Sequence, residues 1–302
     1  MRKLLLSFIL LAVPLGLLAQ GTTWETATAI SQGGTGSGSL DKTVTDAWFK
    51  IEVPEEGTVL LTETPGGNLD IQVIDLCWQE TVNKVTSRKA TWYPGKKTGT
   101  LELTNAGKGT YYVHIHRSDG SGSFTLNYQF KACPFSNDAE PNDTEGLGDM
   151  LVSGSTVQGR LGYVDSNNKC DQDDWYKIQV EKDGMVQFVL NCNQDHELSI
   201  QVLEFFWCSS DTHNFFSRAS KWYFSNDTLT VTDVGVGTYY VKLHRGGGHG
   251  GYKLKYIFTA NSYANDVEPN DTSGSGTTLE SGKTVEGHLG YRDGNDYRDN
   301  DD

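Results

Sequence analysis

Internal repetition limits the folds open to this chain more than any other feature. The segment GTYYVHIHR at 109–117 returns as GTYYVKLHR at 237–245, 128 positions later. FTLNYQF at 124–130 is answered by YKLKYIF at 252–258, and LDIQV at 69–73 by LSIQV at 198–202. SRKATWY at 87–93 pairs with SRASKWY at 217–223, and AWFKIEV at 47–53 with DWYKIQV at 174–180. The offset drifts only between 127 and 130, so short loop insertions separate fixed elements. A period of this length is the size of a domain, and the chain reads as a tandem array of one module.

The repeated segments alternate apolar and polar residues over five to seven positions, which is the period of a half-buried strand. Turns such as TPGGN, NAGKG and RGGGHGG punctuate them, and no amphipathic run is long enough for a sizeable helix. The expected fold is all-β, built of tandem antiparallel β-sandwich modules of jelly-roll-like form. Trp48 and Trp175, Trp92 and Trp222, and Tyr111 and Tyr239 fall at matching positions. That placement predicts that they fill the core between the sheets, with a ligand-stacking platform as the other reading.

The N-terminus reads as an export signal. Arg2 and Lys3 precede an apolar run from Leu4 to Leu18 and a small residue, Ala19, so residues 1–19 are expected to be a signal peptide and the protein to be secreted. The run is broken by Pro14 and Gly16 and is shorter than the ~20 apolar residues of a spanning helix, so no membrane insertion is expected. The formal charge of −14 argues against nucleic acid as a partner, because such partners demand a basic face. Five cysteines in an oxidising compartment permit disulfides, and Cys192 with Cys208 is the favoured pair, as flanks of one strand pair.

The expected organisation is a first module at 20–132, a second at 133–260, and the truncated opening of a third at 261–302. An acidic octamer introduces the last two: NDAEPNDT at 137–144 and NDVEPNDT at 265–272. A second acidic cluster follows each, CDQDD at 170–174 and RDNDD at 298–302. The first module lacks both, so the sandwich does not require them. Two oxygen-rich clusters on separated loops suit Ca²⁺, which takes roughly six to eight oxygen ligands in loose geometry. Neither stretch has the EF-hand Gly and Glu positions. The same composition also suits a solvated linker.

The second module, with NDAEPNDT, TVQGRLGYVD, DQDDWYKIQV, LSIQV, GTYYVKLHR and YKLKY, resembles the bacterial pre-peptidase C-terminal domain, a β-sandwich related to the collagen-binding domain of bacterial collagenases. The resemblance covers 132–260 and the opening of the next module. In calcium-binding members the acidic segment and the Asp pair near the first core strand hold the metal. Carried across, that implies Asp138, Glu140, Asn142, Asp143, Asp171 and Asp173 in the second module. In the third it implies Asp266, Glu268, Asn270, Asp271, Asp299 and Asp301. Cys170 departs from the acidic character of some members.

Catalytic signatures are missing from the sequence. HELSI at 196–200 lacks the second His of a zincin helix, and no Gly-x-Ser-x-Gly elbow occurs. His114 and His116 share one strand face and could hold a metal, but the second module has Lys242 and His244 there, so a two-His site common to both modules fails. The expected function is non-catalytic: a calcium-stiffened module array for adhesion or targeting to an extracellular protein or polysaccharide polymer. The alternative is the non-catalytic front of a secreted peptidase or other hydrolase.

Overall fold

A computed structural model describes residues 18–145, 147–192, 197–264, 274, 276 and 278–300, the side chains of Leu18, Ala19 and Tyr223 excepted. Two compact units emerge: one built on residues up to Ala132 together with Asp165–Asn168, the other on Cys133–Val164 and the residues from Lys169 onward. Both are all-β, and the described residues form no helix beyond the single 3₁₀ turn at Trp24–Thr26.

The same strand order is built twice. In the first unit one sheet runs Thr28–Ile30, Asp46–Val53, Gly109–Asp119, Asp70–Thr81, Lys84–Gly95, and the other Leu18–Ala19, Thr35–Leu40, Gly122–Ala132, Gly57–Pro65, Gly99–Ala106. In the second unit the sheets run Asp149–Met150, Asp173–Val180, Gly237–Gly247, Ser199–Cys208, Phe215–Phe224 and Thr156–Leu161, Gly250–Ala260, Gly184–Cys192, Asn226–Val234. The long strands pair antiparallel, and only the short edge strands at 18–19, 28–30 and 149–150 add in parallel.

Alternation decides which side chains enter the core. In Asp46–Val53 the buried positions are Ala47, Phe49, Ile51 and Val53; in Asp173–Val180 the inward series is Asp174, Tyr176, Ile178 and Val180. Phe188 and Phe205 are fully buried in the second core, and truncating either to Ala is expected to cost about 3–5 kcal/mol. Gly57 and Gly184 open equivalent strands, where a Cβ would lie 2.3 Å from the carbonyl oxygen of Lys131 or Thr259. Tyr111 and Tyr239 occupy matching buried positions, and each hydroxyl donates to a carbonyl four residues upstream, at Gly107 (3.0 Å) or Gly235 (2.9 Å). Each thereby pins the loop before its own strand.

The tryptophans do not fill the inter-sheet core. Trp92 is 59% exposed and Trp222 50% exposed. Trp48 and Trp175 occupy odd-phase positions of their strands and lie on the outer face of the sheet. There Trp48 stacks on His114, while Trp175 is covered by Phe206 and Phe215. Matching repeat positions identify a shared environment but not which face of the pleat it belongs to. The five cysteines form no disulfide. Cys192 and Cys208 end strands of opposite sheets, so they do not flank one strand pair.

Candidate metal centre

The acidic turn and the strand mouth meet at one end of the second unit. The Asn142 carbonyl accepts the Trp175 amide (3.1 Å), which docks the turn onto the start of Asp173–Val180. Within the turn, Asn142 donates its amide to Glu140 Oε2 (3.1 Å) and its Nδ2 to Asp138 Oδ2 (2.7 Å). Asp171 closes the hairpin before the strand: its amide donates to the Tyr163 carbonyl (3.0 Å), and its carbonyl accepts from Gly162 (2.9 Å).

Three carboxylates converge there. One oxygen each from Asp138, Glu140 and Asp174 lie within 4.8 Å of one another. Asp174 is fully buried, Asn142 nearly so, and Glu140 is exposed, so the group opens to solvent on the Glu140 side. Two core tyrosines serve it from below. Tyr252 donates to Asp174 Oδ2 (2.5 Å) and Tyr176 to Asp138 Oδ2, and the two hydroxyls touch each other.

The oxygens left over are the informative ones. Asp138 Oδ1, Asn142 Oδ1 and Asp174 Oδ1 are buried and accept no hydrogen bond. Leaving such a group unsatisfied costs about 1–3 kcal/mol, and more when it is charged. Burial, followed by the charges of Asp138 and Asp171, pushes the Asp174 carboxyl well above the usual carboxylate range. Burial also raises Asp138, against the hydrogen bond from Tyr176. Nearby ammonium groups are engaged elsewhere: Lys169 with Asp143 (2.7 Å) and Lys242 with Asp173 (3.1 Å). An all-oxygen set of this kind, partly buried and open on one side, fits a hard divalent cation such as Ca²⁺.

The residues named from the sequence divide accordingly. Asp138, Glu140 and Asn142 are brought together, and the Asp171 charge is felt at Asp174. Asp143 turns to Lys169, and Asp173 lies on the opposite face of the sheet against His244 (2.6 Å) and Lys242. Asp174 takes the place that the sequence reading gave to Asp173, because 171 precedes the regular strand and the two-residue alternation cannot be extended back to it. Asp299 repeats the backbone pattern of Asp171, its amide donating to Tyr291 (3.0 Å) and its carbonyl accepting from Gly290 (2.7 Å). Asp266, Glu268, Asn270, Asp271 and Asp301 lie outside the described residues.

A signal for Asp174 was present in the repeat itself. Asp46 stands where Asp173 does, in a module without the acidic octamer, so that acid does not accompany it; Ala47 stands where Asp174 does. The tyrosines follow the same rule, since Phe49 and Phe124 occupy the places of Tyr176 and Tyr252 and pack edge to face at 6.1 Å. The octamer, the inward acid and both phenols are present together in one module and absent together from the other.

No protein-family model and no curated protein matches this chain. Among solved structures it is similar to the pre-peptidase C-terminal domain of a collagenase from Bacillus anthracis, at 15% identity and TM-score 0.28, covering 34% of this chain and 94% of that one. It is also similar to PBSX exported protein XepA, at 10% identity and TM-score 0.23, covering 76% and 83% of the two chains. A third similar structure is the CBM22-1-CBM22-2 tandem domain of Paenibacillus barcinonensis Xyn10C, at 9% identity and TM-score 0.23, covering 76% and 92%. At these identities the likeness concerns the β-sandwich fold alone.

Proposed function

We propose that this chain is a secreted, non-catalytic tandem of β-sandwich modules that adheres to, or targets a larger protein to, an extracellular polymer, with Ca²⁺ stiffening the head of the second module. The observation that carries the reading is the set of buried, donor-free oxygens on Asp138, Asn142 and Asp174 beside Glu140. Ca²⁺ bound by these residues would neutralise the carboxylates and tie the turn that opens the module to its first core strand. The polymer half of the reading is supported by Trp92 and Trp222, which stand exposed at the same place in both modules. Exposed indole faces suit the flat apolar faces of sugar rings or of proline-rich protein.

The calcium half is tested by calorimetry and thermal melting of the full chain against CaCl₂. The melting temperature of the second unit should rise with the logarithm of free Ca²⁺. Absence of both heat and shift at millimolar Ca²⁺ would leave the acidic octamer as a spacer.

A further inference from the structure

A second cluster, of different chemistry, lies on the outer face of the first unit. Asp46 Oδ1 is 2.7 Å from His114 Nε2 and 2.7 Å from His116 Nδ1, so one oxygen and two imidazole nitrogens converge on a single point. The strand phase explains the convergence: His114 and His116 are two apart on Gly109–Asp119, and Asp46 is directly opposite His116 on the neighbouring strand. The three side chains are 21–35% exposed, so solvent and ions reach them.

We infer that Asp46, His114 and His116 form a binding site for a late first-row divalent cation of the Zn²⁺ class, in addition to the calcium centre and independent of it. Two imidazoles and one carboxylate are a borderline donor set that prefers Zn²⁺ or its neighbours over Ca²⁺, which takes oxygen. Bonds of roughly 2.0–2.2 Å to a tetrahedral ion place ligand atoms about 3.3–3.6 Å apart, so each nitrogen draws back from the Asp46 oxygen by about 0.6–0.9 Å to admit it. Solvent supplies the open position. The ligands are also held from behind: Thr45 Oγ1 donates to Asp46 Oδ2 (2.5 Å), and the Trp48 ring stacks on His114 at 4.2 Å. Asp75 pairs with His114 from the strand on the other side and adds a second carboxylate beside that ring. Supports of this kind orient metal ligands.

The second module shows what the position looks like without a site. Lys242 replaces His114; its ammonium lies 3.1 Å from Asp173 and 5.4 Å over the Trp175 ring, while His244 keeps its 2.6 Å contact with Asp173. A fixed cation there occupies the space and supplies the charge that a metal brings to the first module.

His114→Lys therefore reproduces an arrangement the fold already accommodates. The full chain is titrated with ZnCl₂ by calorimetry and with Co²⁺ by visible absorption. The wild type should bind one such ion at the cluster and show Co²⁺ ligand-field bands, with His114→Lys and His116→Ala each weakening binding more than about tenfold. His244→Ala should change nothing, and the calcium response of His114→Lys should be intact, so that failure here and failure of the calcium reading are separate results. Zn²⁺ binding by His114→Lys equal to wild type, or no binding by the wild type, overturns the proposal. Circular dichroism confirms that each variant is folded.

Discussion

Asp173 and Asp174, joined by one peptide bond, face opposite sides of the same sheet: Asp174 is buried under the Tyr252 hydroxyl, while Asp173 meets His244 and Lys242 outside. Their substitution effects should differ as sharply. Asp174→Ala, which installs the residue the first module has at Ala47, should abolish the calcium-dependent rise in melting temperature. Asp173→Asn should leave that rise in place. Differential scanning calorimetry with and without Ca²⁺ compares the two.

Tyr252→Phe tests the support beneath the cluster. The first module carries Phe124 at this position, so the ring should pack without disturbing the fold. Removing the donor to Asp174 should weaken Ca²⁺ binding about tenfold, the scale on which groups behind metal ligands act. Isothermal titration of the variant gives the ratio.

Glu63 makes the first unit sensitive to pH. It points inward from Gly57–Pro65, is fully buried, and neither carboxylate oxygen accepts a hydrogen bond; burial pushes its pKa from 4.5 up to about 8. The folded state thus holds a proton that the unfolded chain releases, and stability falls as pH rises. The loss should begin near pH 4.5 and be complete near pH 8, amounting to roughly 5 kcal/mol. Glu63→Leu, matching Leu190 of the second unit, should remove this slope in urea titrations across the range.

Trp92→Ala and Trp222→Ala should change stability by less than about 0.5 kcal/mol, because both indoles are largely exposed. The double variant should lose retention on the bound polymer in pull-down against insoluble collagen, cellulose, chitin and xylan. Retention equal to wild type would remove these rings from the binding surface.

The fold was legible because a two-residue period survives in every repeated strand, and the repeat supplied each assignment twice. Position along the acidic turn was legible too: Asp138, Glu140 and Asn142 meet because they are close in sequence. What failed was the phase of the pleat. Asp173 and Asp174, and Trp48 or Trp175 and their neighbours, are interchangeable to a reading that knows a strand begins but not which side chain turns inward first. Tyr176 and Tyr252 carry no signal of their role in the sequence, since they share a hydroxyl partner, Asp138, in a turn more than thirty residues away. Glu63 gave no warning, because one acid in an alternating strand looks like a solvent-facing position.

The pleat also gives this fold a form of evolvability. Adjacent residues on one strand never share surroundings, so a duplicated copy can exchange its interior acid for alanine, or its exterior histidine for lysine, without either change reaching the other. The two proposed ion sites, one hard and one borderline, can thus arise, persist or vanish separately, each in its own module.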